Sequence, residues 1–198
     1  LVKSSLVLAL LLESLSRGDI MIPVSLYGID VEMCERFYKE LSSLVADSIE
    51  DENYAKTIYS IQEKASIDHV FISEKWSKRA PQAWPEDIMI EIEMILQTVK
   101  YPDVSLLEHL LTLDNVDTKR ISEWIHFSTN LYPLYSEKAC QTLTRMGLDT
   151  PYRLDDMASY GLYVSRIEGL KIYSPANGLP EIGLPRARML QLGLERFE

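Results

Sequence analysis

The amino-acid sequence predicts an all-α fold. Apolar residues recur at intervals of three and four along most of the 198 residues, which is the period of an amphipathic helix. The stretch at residues 20–27 alternates poorly and contains Pro23, which fits a short edge strand or a loop. The sequence has no internal repeat and no alternation of strands with helices. Because 46% of the residues are apolar, the chain can bury a continuous core, and a helical bundle is the expected architecture.

Capping residues mark the predicted helix starts. Asp30 is placed to cap the clearest amphipathic helix in the sequence. Pro85, followed by two acids that complement the helix dipole, opens a second helix. Asp117 opens a third, and Thr150 with Pro151 is predicted to cap and begin a fourth. Further helices are predicted at about residues 3–16, 51–65 and 103–112.

Acidic residues are concentrated in the first part of the chain. The whole chain carries 30 Asp and Glu against 20 Lys and Arg, a net charge of −10. Residues 1–118 hold 10 basic and 21 acidic residues, whereas residues 119–198 hold 10 and 9. The acidity indicates solvated helix faces or a surface that faces protein. The nearly neutral second part remains compatible with local binding of nucleic acid, which depends on clustered Lys and Arg.

The motifs of several enzyme classes are absent from the sequence. It contains no P-loop, no G-x-G-x-x-G and no G-x-S-x-G. His69, His109 and His126 lack the spacing of metal ligands, and each is interpreted as a surface or packing residue. Cys34 and Cys140 are too few for a disulfide framework, which indicates a reduced, intracellular protein. We therefore expect no self-sufficient enzyme and no cofactor or metal in this chain.

The apolar run at residues 6–12 is interpreted as part of a buried helix. Glu13 interrupts it, no cleavage pattern follows it, and it is shorter than the roughly 20 residues that span a bilayer. We expect no membrane partner. The chain begins at Leu1 without an initiator Met, which is expected of a fragment or a processed product.

A basic-aromatic patch occurs in the acidic first part of the chain. Trp76, Lys78, Arg79 and Trp84 are grouped around Pro81 and Pro85. This grouping fits either a loop that grips DNA or a loop packed by its tryptophans. Trp124 shares a helix face with Ile121 and Ile125, which indicates a core position.

One specific motif lies near the end of the chain, with the sequence L-P-E-I-G-L-P-R-A-R-M-L at residues 179–190. Gly183 allows a backbone conformation or a close approach that a side chain would obstruct. Pro185 fits the first position of a helix. Backbone N–H groups at such a helix start bind anions, and Arg186 and Arg188 lie in its first turn. The motif predicts a turn that contacts phosphate.

The turn resembles the helix-hairpin-helix module, which contacts the DNA sugar-phosphate backbone without reading bases. That family has glycine on both sides of the turn's central apolar residue, and here Glu181 stands in place of the first glycine. A carboxylate at the tip repels phosphate. Two alternatives therefore remain, a phosphate-binding hairpin and a purely structural one. Residues 171–178 are interpreted as an insertion between the two helices of the hairpin.

Further motifs surround this turn in a fixed order. Y-G-L at residues 160–162 precedes it, R-A-R at 186–188 lies within it, and L-G-L at 192–194 follows it. This order resembles the C-terminal region of the Ski-like superfamily 2 helicases, namely the archaeal fork-processing helicases and the helicase part of DNA polymerase theta. The resemblance extends weakly back to about residue 105 and includes Trp124. Pro133 departs from it, because a proline ends or kinks the periodic segment at 121–146.

The resemblance implies a domain organisation. Residues 1–148 would form a helical bundle, in which 1–104 are acidic and unassigned and 105–148 resemble the end of the ratchet bundle. Residues 149–198 would form a small helix-hairpin-helix module. In the family, the bundle and the motor domains enclose single-stranded DNA, and one long helix acts as a ratchet. The segments 85–100 and 117–146 both have the length of that helix.

The resemblance also implies a function. The chain would be the non-catalytic C-terminal accessory part of an ATP-dependent helicase, with ATP and Mg bound by motor domains of the same polypeptide. Its other partner would be DNA, single-stranded or forked, or RNA, in the cytoplasm of a prokaryote or the nucleus of a eukaryote. The expected nucleic-acid contacts are Gly183, Leu184, Arg186, Arg188, Lys171 and Arg166. The competing interpretation is an acidic helical protein-interaction domain with a structural hairpin.

Overall fold

The computed structural model describes residues 21–50, 52–60, 66–80, 82–176 and 178–198. These residues form α-helices and 3-10 helices and contain no strand, which confirms the all-α prediction. The α-helices are α1 (Val31–Val45), α2 (Glu52–Ser60), α3 (Ile67–Trp76), α4 (Glu86–Thr98), α5 (Thr118–Thr129), α6 (Glu137–Arg145), α7 (Met157–Tyr173) and α8 (Arg186–Arg196). The 3-10 helices are Val24–Leu26, Ala46–Glu50 and Ser105–Thr112. The helix predicted at 3–16 lies outside the described residues.

Side-chain caps confirm two of the predicted helix starts. The Asp30 carboxylate accepts a hydrogen bond from the backbone N–H of Met33 at 3.0 Å, at the start of α1. The Asp117 carboxylate accepts from the N–H of Arg120 at 2.6 Å, at the start of α5. The α4 helix begins directly after Pro85, as predicted. Each of these starts is encoded within one turn of the helix that it opens.

The helix start predicted at Thr150 is wrong. The residues that follow it are not helical, and α7 begins only at Met157. The Thr150 hydroxyl donates to the carbonyl of Leu148 at 2.7 Å and is buried, so it does not cap a following turn. Asp156 provides the cap instead, because its carboxylate accepts from the N–H of Ala158 at 3.0 Å.

The segment around Pro133 separates two helices. The α5 helix ends at Thr129, and Asn130 closes it in the left-handed conformation with φ of 59°. Pro133 lies in the connection, and α6 begins after Ser136 caps its first turn. The predicted interruption is therefore a complete break between two helices, α5 and α6.

One hydrophobic core joins most of the helices. The last helix, α8, packs against α1, α6 and α7, while α3 packs against α5. Trp124 is fully buried in this core, as predicted. Phe37 of α1 and Leu190 of α8 belong to the same core, so packing continues across the predicted domain boundary at residue 148.

Gly193, from the L-G-L motif, permits the close approach of α8 to α1. A Cβ atom at this position would lie 2.4 Å from Cδ1 of Leu41, which is shorter than any real contact. The glycine therefore removes the atom that would hold the two helices apart.

Cys34 and Cys140 are both buried free thiols. Burial raises the pKa of each to about 12, which keeps both thiols protonated at neutral pH. Along the described part of the chain, no helix is both long enough and apolar enough to cross a membrane.

Candidate nucleic-acid interface

The connection between α7 and α8 carries the predicted turn. It borders a surface cavity of about 510 Å³, which Gly183, Leu184 and Arg186 help to line. Gly183 has a φ of +76°, the left-handed region that glycine adopts without strain. A Cβ atom at Gly183 would meet nothing within 4 Å, so the backbone here faces open space. This is the conformation and access that the sequence predicted for the glycine.

The start of α8 adds positive groups to this turn. Arg186, its first residue, is exposed. The N–H of Met189 donates the first backbone hydrogen bond of α8, to the carbonyl of Pro185 at 3.0 Å. The N–H of Arg186 comes before this bond and so lies among the helix-start N–H groups that have no acceptor within the helix. Glu181 is also exposed and lines the same cavity, where its carboxylate opposes an anion.

Leu184 anchors the turn to the body of the protein. Its half-buried side chain packs against a small cluster formed by Tyr54, Phe127 and Leu134, which we call the aromatic cluster. The turn is therefore fixed by an apolar contact beside an exposed glycine.

Arg188 lies on the opposite side of α8 from Arg186. Its side chain is only 8% exposed, and Nη1 donates to Oε1 of Gln191 at 2.8 Å. Its guanidinium lies 5.0 Å from the ring centre of Tyr54 and 5.8 Å from that of Trp76. Residues two apart on a helix point in different directions, so R-A-R places one arginine outside and one inside. The structure does not bring the two arginines together as a phosphate clamp.

Arg166 and Lys171, both on α7, are engaged in contacts with other parts of the protein. Arg166 donates a hydrogen bond to the carbonyl of Ser25, and burial lowers the pKa of its guanidinium. Lys171 donates to the Tyr101 hydroxyl at 2.7 Å and to Glu168 Oε2 at 3.0 Å. The structure thus gathers Gly183, Leu184 and Arg186 at the turn and places Arg188, Arg166 and Lys171 in contacts that hold helices together.

A second positive feature lies at the C-terminal end of α3. A surface cavity of about 490 Å³ is lined by Lys56 from α2, by Lys75 and Lys78 at the end of α3, and by Trp76. Its other described lining residues are Asn53, Thr57 and Ile72. None of these described residues carries a carboxylate, so together they contribute a charge of +3 in a chain of net charge −10. We call this cavity the lysine cleft.

The three lysines of the lysine cleft are accessible. Lys56 forms an ion pair with Glu52 at 3.0 Å, but the two side chains are 73% and 80% exposed, and such surface pairs are weak. Lys75 and Lys78 are exposed, and no carboxylate of the described residues pairs with either ammonium group. Lys78 has a φ of 57°, which ends α3 and redirects the chain.

The basic-aromatic patch predicted from the sequence is packed by its tryptophans. The Trp76 ring lies 5.0 Å from that of Phe127, and Trp84 packs edge-on against Trp124 at 6.2 Å. Arg79 pairs with Glu123 at 3.1 Å. Of the two basic residues in the predicted patch, Lys78 is exposed and Arg79 is half-buried. The sequence prediction missed Lys56, because the contact between α2 and α3 brings it to the cleft from a distant position in the chain.

The turn and the lysine cleft share the aromatic cluster. Leu184 from the turn packs against it on one side, and Trp76 from the cleft packs against it as well. Arg188 strengthens this connection, since it contacts both Tyr54 and Trp76. Two exposed positive features are therefore built on one common support.

His126 lies beneath the aromatic cluster and is fully buried. Its Nδ1–H donates to the carbonyl of Tyr132, and Nε2 accepts from the Tyr54 hydroxyl at 2.6 Å. Burial lowers the pKa of His126 to about 3, so the ring is neutral. His69 is also buried, whereas His109 is exposed and pairs with Glu91. Within the described ranges, no three His, Cys, Asp or Glu side chains are grouped so that they could hold a metal ion.

No protein-family model, no curated protein and no solved structure matches this chain. The geometry of its own residues is therefore the basis for the functional interpretation.

Proposed function

We propose that this chain is a non-catalytic accessory region of an ATP-dependent superfamily 2 helicase. It contacts the nucleic-acid backbone through the turn at residues 179–186 and guides the translocated strand. The observation that carries this proposal is the pairing of an open, left-handed Gly183 with an exposed Arg186 at the start of α8. The order of motifs from residues 160 to 194 supports the helicase context.

The turn has the chemistry that a phosphate contact requires. Backbone N–H groups at a helix start carry a partial positive charge, and a glycine beside them lets a phosphate approach closely. Arg186 adds a full charge at the same place. These groups hold the sugar-phosphate backbone and do not read bases, which suits a protein that moves along many sequences.

The contact is local and moderate in strength. Arg188 faces inward, so one arginine and the helix start carry the turn's positive charge, while Glu181 opposes them. With about one phosphate contact, a plot of the logarithm of the binding constant against the logarithm of salt concentration has a slope of only about −1. Stronger binding would come from the motor domains that the resemblance implies.

Matched glycine variants test the turn. Gly183→Ala blocks the open backbone, whereas Gly28→Ala is its control, because Gly28 also has a positive φ, of 93°, and its added Cβ would make only an ordinary contact. Binding of labelled single-stranded and forked DNA to each variant is measured by fluorescence anisotropy. We expect Gly183→Ala to weaken binding and Gly28→Ala to leave it unchanged.

Variants of the charged residues provide an independent test of the same turn. Arg186→Gln is expected to weaken binding by about three- to tenfold and to lower the salt slope by about 0.7 on single-stranded DNA, or about 0.9 on a duplex. Glu181→Gln is expected to strengthen binding, and Lys119→Gln, which removes an exposed lysine elsewhere, is the control. Unchanged affinity and unchanged salt slope for Gly183→Ala and Arg186→Gln together would contradict the proposal.

A second candidate function is supported by α4. Ile90 and Met94 are 61% and 59% exposed, and they line a surface cavity of about 450 Å³ together with Glu86 and Glu93. Exposed apolar side chains bordered by acids fit a basic amphipathic partner. In that case the chain is an acidic protein-interaction domain, and the inward Arg188 makes the hairpin structural.

Capture experiments separate the two functions. Ile90→Glu with Met94→Glu should abolish capture of a basic amphipathic helical peptide if α4 is the interaction surface. The same double variant should leave nucleic-acid binding unchanged. Equal capture by the variant and the native chain would argue against the α4 surface.

A further inference from the structure

We propose that the lysine cleft binds single-stranded nucleic acid. The phosphates lie against Lys56, Lys75 and Lys78, and a base stacks on Trp76. This site is separate from the turn at residues 179–186, so the inference goes beyond the proposed function and can stand or fall without it.

Positive charge is concentrated in the lysine cleft. Residues 1–118 contain 21 acidic and 10 basic residues, yet three of those ten bases line one cavity. The described lining residues include no carboxylate, and of the three lysines only Lys56 has a carboxylate partner, the exposed Glu52 at 3.0 Å. Like charges gathered in one cleft repel each other, and a bound anion relieves that repulsion. The cleft is therefore complementary to a ligand with several negative charges.

The lining of the lysine cleft also has an aromatic and apolar part. Trp76 is partly exposed at the cleft, and Ile72 lies beside it. The rest of the Trp76 ring is fixed by Phe127 at 5.0 Å and by Tyr54 at 6.2 Å, so its position is set before a ligand arrives. Alternating positive groups and a stacking ring are the features with which proteins bind single strands without sequence preference. A duplex keeps its bases stacked inside and cannot use Trp76 in this way.

The neighbouring cleft provides a contrast. Trp76 also borders a second cavity of about 450 Å³. The charged residues that line this cavity are Lys119, Lys138, Arg188, Glu123, Glu137 and Glu195. Three positive and three negative groups make it neutral, and Glu123 already pairs with Arg79. The same tryptophan thus lies between a positive and a neutral cleft, and only the positive one suits a phosphate chain.

The test compares charge variants of the two clefts in the full 198-residue chain. Anisotropy of a labelled oligothymidylate of about ten nucleotides is measured over a salt series. Lys75→Gln with Lys78→Gln should weaken binding about tenfold or more and reduce the salt slope by about 1.4, which is about 0.7 for each phosphate contact on a single strand. Lys119→Gln with Lys138→Gln, from the neutral cleft, should leave both quantities unchanged. Lys75→Arg with Lys78→Arg should retain binding.

A modified ligand tests the stacking without changing the protein. A strand of the same length with abasic sites keeps its phosphates but loses its bases. It should bind the native chain about 5- to 100-fold more weakly than oligothymidylate, the range expected for the loss of a stacked base. A duplex of equal length should also bind more weakly than the single strand. Trp76→Leu, checked for its fold by circular dichroism, should remove the preference for the base-containing strand.

The outcomes distinguish this site from the turn. Weaker binding of the lysine variant, with a lower salt slope, supports the lysine cleft whatever Arg186→Gln does. Equal affinity and slope for the lysine variant and its control overturn the lysine cleft, while a loss in Arg186→Gln would still support the turn. Equal binding of the abasic strand and oligothymidylate overturns the stacking on Trp76. No binding of any single strand at low salt overturns the lysine cleft, and no binding of forked DNA under the same conditions overturns the turn as well.

Discussion

Helix α3 places two neighbouring charged residues in opposite environments. Glu74 is 2% exposed, and its Oε1 accepts hydrogen bonds from Arg120 Nε at 2.7 Å and from Trp124 Nε1 at 3.2 Å. The next residue, Lys75, is exposed in the lysine cleft. The inner face of the helix therefore uses charge to join α3 to α5, whereas its outer end leaves charge unpaired. A partner and burial, rather than residue type, therefore decide whether a charge on this helix serves the fold or stays in solvent.

Arg120 extends the inner charge network beyond this pair. Its Nη1 donates to Oε1 of Gln82 at 2.9 Å and to the carbonyl of Asn115 at 2.8 Å. The guanidinium also lies 5.5 Å from the ring centres of Trp84 and Trp124. The hydrogen bonds of Arg120 satisfy donors of a buried guanidinium, so the removal of one partner leaves the other without compensation.

The largest expected effect comes from breaking this inner pair. Arg120→Met leaves the Glu74 carboxylate buried without its cation, and we expect the free energy of unfolding to fall by about 3–5 kcal/mol. Urea unfolding followed by circular dichroism measures it. Lys39→Gln, which breaks a surface pair with Glu35 whose side chains are 77% and 64% exposed, should change stability by less than about 0.5 kcal/mol.

A double variant sharpens the same point. Glu74→Leu with Arg120→Met removes both charges, so it should cost less than the sum of the two single variants. A strictly additive result would show that the pair is not coupled, and the contrast between the two sides of α3 would lose its basis.

The second effect is a pH dependence from His126. Burial lowers the pKa of His126 in the folded protein to about 3, against about 6.5 for the same side chain in the unfolded chain. As pH falls below 6.5, the unfolded state takes up a proton that the folded state cannot, so stability is lost towards pH 3. The expected loss is 2–3 kcal/mol between pH 6.5 and 4.5, or about 1.4 kcal/mol per pH unit at the lower end.

Comparison with His126→Gln isolates this contribution. The glutamine does not titrate, so its free energy of unfolding should depend less on pH than that of the native chain over this range. Urea titrations at several pH values measure both slopes. Parallel curves would mean that the histidine is protonated in the folded protein, against its burial beneath the aromatic cluster.

Local features of the fold were predictable from the sequence, and long-range ones were not. Asp30 and Asp117 cap the helices that directly follow them, so the information lies within four residues. Threonine often caps a helix, but the Thr150 hydroxyl donates a hydrogen bond to the carbonyl of Leu148 instead. Lys56 reaches the lysine cleft only because α2 packs on α3, and no local pattern contains that contact.

The candidate turn shows the same division. The residue type at Gly183 allowed either a special backbone conformation or a close approach, and the structure has the glycine at a φ of 76°. The inward direction of Arg188 depends on Tyr54 and Trp76, which lie more than a hundred residues earlier. Because one helical turn contains 3.6 residues, two arginines that are two positions apart point to nearly opposite sides of the helix. The spacing alone therefore indicated that Arg186 and Arg188 would not act together.

The smallest expected effect is on the outer end of α3, where Lys75→Gln with Lys78→Gln should change the free energy of unfolding by less than about 0.5 kcal/mol. Loss of Lys75 removes a favourable cation from the last turn of the helix, but loss of both lysines also removes their repulsion from each other and from Lys56. Urea unfolding at low and high salt separates these terms, since salt screens exposed charges. A loss above about 1 kcal/mol at both salt concentrations would show that the lysines hold the fold, and the two sides of α3 would then not differ. A near-zero change, together with weakened binding of the single strand, would show that these charges are kept for a ligand.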